Sequence, residues 1–116
     1  MAAGKIPPLD FNTYQRQART TALYPRFVAL PYVALGICGE AGEVAEKIKK
    51  MYRDHGGNLT DQQIEEIAKE LGDVLWYVSM MAWELGLSFG DVAQMNLDKL
   101  ADRAERDAIH GDGDGR

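Results

Sequence analysis

The stretch that decides the fold is GICGEAGEVAEKIKK, residues 36–50, which has glycine at positions 36, 39 and 42 and glutamate at positions 40, 43 and 46. Apolar residues recur along it at spacings of three and four, which is typical of one face of a helix. A glycine inside a helix destabilises it by roughly 1 kcal/mol relative to alanine, so three glycines in two turns need a reason. Because glycine lets another backbone or a ligand approach closely, we expect a close contact beside the acids of this helix.

The same periodicity predicts three further helices. A first helix begins after Asp10, a second begins near Pro31 and ends at DHGGN, residues 54–58. Thr60 opens a capping box for the third helix, and Ser88 caps the fourth. No stretch alternates polar and apolar residues for long, so strands are not expected. The predicted fold is all-α and resembles a small four-helix bundle.

Length and composition fit one globular domain, with 116 residues of which 46% are hydrophobic and 27% charged. We expect a single domain over residues 1–116, with irregular tails at 1–9 and 108–116. The N-terminus has no signal-like apolar region, and no apolar run is long enough for a membrane span. The lone Cys38 fits a reducing compartment and is expected to be a small buried residue rather than a reactive thiol.

The net charge of −5 argues against one class of partner. A DNA or RNA polymer is recognised by a basic surface, so nucleic-acid polymers are not expected to bind. The charge does not exclude a small polyphosphate as a partner if cations neutralise its charge.

Two pairs of acids lie beside the apolar stripes of the second and third helices. Glu40 and Glu43 are three residues apart on one helix, and Glu70 and Asp73 are three apart on the next. At about 100° per residue, antiparallel packing of the two helices would present all four carboxylates to one cleft. Carboxylates at close range repel one another, and a hard divalent cation such as Mg²⁺ or Mn²⁺ removes the repulsion. Solvated helix faces are the alternative, but two such pairs on consecutive helices favour a metal site.

GEAGEVAEKIKK followed by KELGDVLWYV resembles the MazG-like all-α nucleoside triphosphate pyrophosphohydrolases, whose signature is ExxE, a spacer and ExxD. The resemblance implies that Glu40, Glu43, Glu70 and Asp73 hold Mg²⁺, with Mn²⁺ able to substitute. It also implies that Glu40 or Glu43 orients or deprotonates a water. The reaction implied is hydrolysis of a nucleoside or deoxynucleoside triphosphate to the monophosphate and pyrophosphate.

The resemblance further implies a homodimer or homotetramer in the cytoplasm, or in the host cytoplasm for a phage protein. Some relatives act on deoxynucleotides such as dGTP, but nothing in this sequence distinguishes one base from another. His110 and Arg116 in the glycine-rich tail resemble a closing segment of some relatives and are candidate nucleotide contacts.

The fourth helix and the end of the second carry candidate phosphate contacts. Asn96, Lys99 and Arg103 share one face of the fourth helix and can offer an amide and two cations to a triphosphate. Lys47 lies on the acidic stripe and Lys50 is one turn away, so either can reach phosphate or pair with acids. A solvated basic patch is the alternative for the fourth helix.

Apolar residues at helical spacing predict the core-facing stripe of each helix, which includes Val33 and Met51 of the second helix, Ile64 and Leu71 of the third and Leu97 of the fourth. The third helix is apolar on nearly all sides, since Trp76, Met80 and Trp83 lie opposite this stripe. A helix buried all round is hard to place in so small a domain unless other subunits cover it, which predicts oligomerisation. The alternative is a monomer whose N-terminal segment covers the aromatic residues.

As a whole, the chain is either a metal-dependent pyrophosphohydrolase or a non-catalytic helical interaction protein, whose stability would not depend on cations.

Overall fold

The computed structural model describes residues 8–106, which form four α-helices and one short 3-10 helix. In chain order these are α1 (Phe11–Arg19), the 3-10 helix (Arg26–Val28), α2 (Ala29–His55), α3 (Asp61–Glu84) and α4 (Phe89–Glu105). No strand occurs between residues 8 and 106, so the predicted all-α fold is confirmed. The predicted tails lie almost entirely outside the described residues, and the domain limits therefore stay a prediction.

The helices begin and end where the local sequence signals predict. The Asp10 side chain accepts a hydrogen bond from the backbone N–H of Thr13 at 2.7 Å, and Thr60 forms the predicted capping box of α3. Ser88 caps α4 in the same way. At the end of α2, Gly56 has a φ of 61°, in the left-handed region that glycine adopts without strain.

The helices α2 and α3 form a long antiparallel hairpin joined by a short turn. Besides α3, the only described element that packs against α2 is the 3-10 helix that precedes it. The short α1 packs against α3 and α4, near the end of α3 and the start of α4. Buried Gln15 of α1 links them, since its amide donates to the carbonyls of Ser79 and Leu87 and accepts from the N–H of Phe89. The outer half of the hairpin is therefore covered by no other described helix.

The core lies around the end of α3 and is completed by residues of α1, of the segment after it and of the start of α2. It consists of the following residues: Ala18, Tyr24, Ala29, Val33 and Met80. Met80, predicted on the outward side of α3, is fully buried, and the Trp76 indole donates to the Thr21 hydroxyl at 2.9 Å. The expectation that other subunits cover this face is wrong for Met80, which its own chain buries, whereas Trp76 is partly buried against the same core. Trp83 stays partly exposed, with the Arg19 guanidinium 5.2 Å from its ring.

Much of the predicted core stripe, in contrast, is uncovered within the chain. Ile64, Leu71 and Leu97 are each more than half exposed, although Val33 and Met51 of α2 are buried as predicted. The reason is that α4 contacts only α1 and α3 and leaves most of the hairpin open. Cys38, expected to be buried, is also exposed.

Candidate functional site

Three of the four predicted metal ligands converge between α2 and α3. One carboxylate oxygen from each of Glu40, Glu70 and Asp73 lies within 4.8 Å of the others. Glu40 comes from α2 and the other two from consecutive turns of α3, so the contact of the two helices creates the cluster. Glu40 and Glu70 are half-buried, whereas Asp73 is exposed. The cluster therefore opens to solvent on one side.

Glu43 lies beside this group without belonging to it. Its side chain is exposed, and its carboxylate is not among the three that converge. Its charge nevertheless acts on Glu40. Burial raises the pKa of Glu40 above its ordinary value, and the negative charges of Asp73, Glu70 and Glu43 raise it further. All four acids predicted from the sequence thus contribute to one electrostatic site.

The donor set of the cluster fits a hard divalent cation. It offers carboxylate oxygens alone, and burial together with the negative charge of the neighbouring carboxylates raises the pKa of Glu40. The Lys47 ammonium is 3.9 Å from an oxygen of Glu70 and offsets part of that charge. A Mg²⁺ or Mn²⁺ ion held by Glu40, Glu70 and Asp73 would offset more of it.

Of the three glycines in residues 36–50, Gly36 is closely packed. A Cβ atom at this position would lie 2.2 Å from the ring of Tyr77, so only glycine lets that ring lie against α2. A Cβ at Gly39 or Gly42 would meet nothing within 4 Å. The predicted close contact is therefore present at Gly36, where it places Tyr77 beside Glu40. Burial, followed by the neighbouring Tyr32 phenol and the Glu40 carboxylate, raises the pKa of Tyr77 above its ordinary value.

An aromatic cleft adjoins the acidic cluster. An open cavity of about 310 Å³ contains Glu40 and Asp73 on one side and aromatic residues on the other. A second cavity of about 260 Å³ shares Thr21, Trp76 and Tyr77 with it. The residues that line only the second cavity are Leu23, Tyr24, Pro25 and Tyr32. Tyr24 and Tyr32 stack with their centroids 5.4 Å apart. The site is thus an acidic end joined to a flat apolar end.

An ion pair fixes the outer wall of this cleft. The Arg26 guanidinium donates two hydrogen bonds to the Glu84 carboxylate, at 2.7 and 2.6 Å, and the Tyr24 hydroxyl donates a third. The hydrogen bonds from Arg26, together with that from Tyr24, lower the pKa of Glu84 to about 2. The pairing holds the segment before α2 against the end of α3, and so keeps Tyr24 in the cleft wall.

Sequence reasoning missed the aromatic cleft. The run YPRF, residues 24–27, interrupts the helical pattern of the sequence and does not by itself indicate a binding site. Tyr24, Tyr32 and Trp76 lie on three different elements, so no local spacing connects them. The available signal was the unusual density of aromatic residues around a break between helices.

The predicted phosphate contacts are not all brought to the acidic cluster. Asn96 and Lys99 line a groove of about 370 Å³ along α4 that shares no residue with the cavity at Glu40 and Asp73. Arg103 is buried. Lys47 is close to the cluster, as its distance to Glu70 shows, and also lines a cavity near the end of the hairpin.

Three further predicted contacts complete the set. Lys50 lines the same hairpin-end cavity as Lys47, and its ammonium lies 3.5 Å from an oxygen of Glu46. His110 and Arg116 lie outside the described residues. Their roles, like those of the α4 residues, stay predictions.

Comparison with known proteins agrees with this geometry. The sequence profile of the MazG nucleotide pyrophosphohydrolase domain matches residues 32–106, which include both acid pairs and all of α3. The chain belongs to the MazG family. Membership supports a nucleotide pyrophosphohydrolase, and the acidic cluster lies within the matched region.

A relative of this MazG-family chain is the Gene 37 protein of Mycobacterium phage L5. The two are 43% identical over 114 residues, which cover 93% of this chain and 100% of the relative. The name of that protein does not state an activity. No solved structure matches the chain significantly.

Proposed function

We propose that this MazG-family protein hydrolyses a nucleoside or deoxynucleoside triphosphate to the monophosphate and pyrophosphate, by attack of water at the α-phosphorus. The observation that carries the proposal is the convergence of Glu40, Glu70 and Asp73 within 4.8 Å beside an aromatic cleft. The acidic end fits a cation and a polyphosphate, and the aromatic end fits a flat base. One substrate class, a nucleotide carrying several phosphates, satisfies both ends.

The carboxylates of this site would hold Mg²⁺, or Mn²⁺ in its place. Such an ion neutralises charge on a polyphosphate and activates water for attack. Glu40 and Glu43 are the candidates for orienting or deprotonating the water, as the resemblance to the MazG family implies. Lys47, whose ammonium lies 3.9 Å from an oxygen of Glu70, is the first candidate for a phosphate contact.

The aromatic cleft is the proposed position of the base. Trp76 and Tyr77 meet edge to face with their centroids 5.0 Å apart, and Tyr32 borders the same cavity. Stacking of a base on an aromatic side chain is worth roughly 1 to 3 kcal/mol and tolerates any base. A purine deoxynucleotide such as dGTP is therefore one candidate substrate among several.

The proposed location is the cytoplasm, or the cytoplasm of a host if the protein is phage-encoded. The phage origin of the relative with 43% identity favours the second case. The proposed assembly is a homodimer or homotetramer, and neither a nucleic-acid polymer nor a membrane is a proposed partner.

A panel of ribonucleotide and deoxynucleotide triphosphates tests the proposal. Each is incubated with the protein in Mg²⁺ or in EDTA, and pyrophosphate and monophosphate are quantified. We expect equal amounts of the two products in Mg²⁺ and none in EDTA, together with a higher melting temperature in Mg²⁺. No turnover of any nucleotide, with a melting temperature that ignores Mg²⁺, would favour a non-catalytic interaction protein.

A further inference from the structure

The seam between α2 and α3 continues beyond the acidic cluster into the hairpin-end cavity. This cavity has a volume of about 120 Å³ and lies near the turn that joins the two helices. Its lining includes Lys47 and Lys50 of α2 and Gln63 of α3, next to the apolar Met51 and Ile67. Two cations are therefore grouped beside a small opening that neither the proposed base site nor the proposed metal site uses.

Contacts between the two helices give the order of the sites along this seam. At the aromatic cleft, a Cβ at Gly36 would lie 2.2 Å from the Tyr77 ring. The acidic cluster follows one helical turn later, at Glu40. Beyond it, the Lys47 ammonium lies 3.9 Å from an oxygen of Glu70, which belongs to the cluster, and Lys47 also lines the cavity. The order along the hairpin is therefore aromatic cleft, acidic cluster and hairpin-end cavity, with Lys47 between the last two.

Lys50 can turn to a phosphate at little cost. Its side chain is exposed, and its ammonium lies 3.5 Å from an oxygen of Glu46. Glu46 has a second partner, Lys49, whose ammonium is 2.9 Å away. Because exposed ion pairs contribute little to stability and Glu46 keeps Lys49, a ligand in the cavity can recruit Lys50.

The acids of the cavity select the form of its ligand. The Asp54 carboxylate accepts two hydrogen bonds from the Arg53 guanidinium, at 2.7 and 2.8 Å, which compensate its charge. Glu66, the other acid of the lining, is exposed. Its charge disfavours a bare anion, so a phosphate group that carries Mg²⁺ fits the cavity better than a free phosphate does.

We infer that the hairpin-end cavity holds the β- and γ-phosphates of the nucleotide and, after the reaction, the leaving pyrophosphate, an inference that rests on the proposed function. The proposed function places the base in the aromatic cleft and the reacting phosphate at the acidic cluster. When the bond between the α-phosphorus and its bridging oxygen breaks, that oxygen keeps the electron pair and leaves with the β- and γ-phosphates. Lys47 and Lys50 lie where this charged leaving group emerges, and each can donate charge-assisted hydrogen bonds to it.

The groove along α4 fits this leaving group less well. Its lining is mainly apolar, with Leu87, Val92 and Met95 beside Lys99, and it shares no residue with the acidic cluster or with the hairpin-end cavity. The hairpin-end cavity, in contrast, borders the cluster through Lys47. A nucleotide that lies along the seam can therefore reach the cluster and the lysines at once.

Isothermal titration of inorganic pyrophosphate in excess Mg²⁺ tests the inference on the whole chain. We expect the wild type to bind and Lys50→Gln to bind roughly 10-fold more weakly, the effect of one lost charge-assisted contact. Lys69→Gln is the matched control, because it removes the same charge from an exposed position of α3 that does not line the cavity. Its affinity for pyrophosphate should equal that of the wild type. No binding by the wild type, or equal affinities of Lys50→Gln and Lys69→Gln, would overturn the inference.

Amide chemical shifts of the unmodified protein locate pyrophosphate without a variant. The spectrum in Mg²⁺ alone is the reference. Adding inorganic pyrophosphate should shift the amides of Gln63 and Ile67 and leave those of Val92 and Met95 in place. Shifts confined to α4 would assign pyrophosphate to the α4 groove and contradict the assignment to the hairpin-end cavity.

Failure of this subsite and failure of the proposed function give different results. Turnover of a nucleotide, with pyrophosphate binding that does not depend on Lys50, would reject the subsite and leave the activity standing. Pyrophosphate binding that depends on Lys50, with no turnover of any nucleotide, would reject the proposed hydrolysis and keep the cavity as a pyrophosphate site.

Discussion

At the scale of single residues, Glu40 is where burial and neighbouring carboxylates most oppose a negative charge. We expect Glu40→Gln to keep the shape and remove that repulsion, so the metal-free protein should melt at a higher temperature than the wild type. Turnover should fall by roughly 100-fold or more, because a ligand of the proposed cation is lost. Calorimetry in EDTA and pyrophosphate release in Mg²⁺ measure the two effects.

Glu46→Gln is the control for this change. Glu46 pairs with Lys49 and Lys50 on α2 and is not in the cluster, so its loss should leave turnover unchanged. Equal losses in the two variants would contradict a specific role for Glu40.

Tyr32 tests the position of the base. Its ring borders the cleft and stacks on Tyr24, yet it is partly exposed, so the fold should tolerate its removal. We expect Tyr32→Ala to raise KM by roughly 5- to 100-fold, the loss of one stacking contact, with a smaller effect on kcat. Tyr52→Ala is the control, because Tyr52 lies near the other end of α2 and is outside the cleft. An unchanged KM for Tyr32→Ala would show that the base does not bind at Tyr32.

At the scale of elements, replacing different glycines of α2 by alanine should change the stability in opposite directions. Alanine at Gly36 forces the Tyr77 ring away from the helix, and overpacking of this kind destabilises by about 1 to 3 kcal/mol. Alanine at Gly42 meets nothing and should stabilise α2 by up to about 1 kcal/mol. Urea unfolding of the two variants should therefore show opposite signs. A stable, fully active Gly36→Ala protein would show that Tyr77 does not need this position.

The stability that the Glu84 ion pair contributes, by joining the segment before α2 to the end of α3, should depend on pH. Glu84 has a folded pKa of about 2, below its ordinary value of 4.5, so its stabilising effect is complete above pH 4.5 and is lost as the pH falls toward 2. Glu84→Gln removes that effect. The difference in unfolding free energy between wild type and variant should therefore shrink across this pH window. A constant difference would show that the Arg26 pairing contributes nothing to stability.

The helices were predictable because their signals are local. Asp10, Thr60 and Ser88 act within one turn of the helix that they cap, so each boundary can be read from a few residues. The side of α3 that its own chain covers was not predictable. Met80 and Leu71 both lie on apolar faces, and the choice between them depends on where α1 packs.

The candidate site divides in the same way. The acid pairs are visible in the sequence because each lies within one helical turn, and three of their four residues meet as predicted. Periodicity could not predict whether Asn96, Lys99 and Arg103 lie near the acids. A helical wheel gives the face of α4 and not its distance from α2.

At the scale of the whole molecule, the acidic cluster of the hairpin and its exposed apolar residues lie apart. The acidic cluster lies between α2 and α3, beside the aromatic cleft, whereas Ile64 and Leu71 of α3 are exposed apolar residues outside both.

The reaction itself is tested most directly by running it in water enriched in oxygen-18. A nucleotide that the protein turns over is incubated with Mg²⁺, and the products are analysed by mass spectrometry. Attack at the α-phosphorus predicts one heavy oxygen in the nucleoside monophosphate and none in the pyrophosphate. Heavy oxygen in pyrophosphate, or release of orthophosphate and a nucleoside diphosphate, would contradict the proposed function.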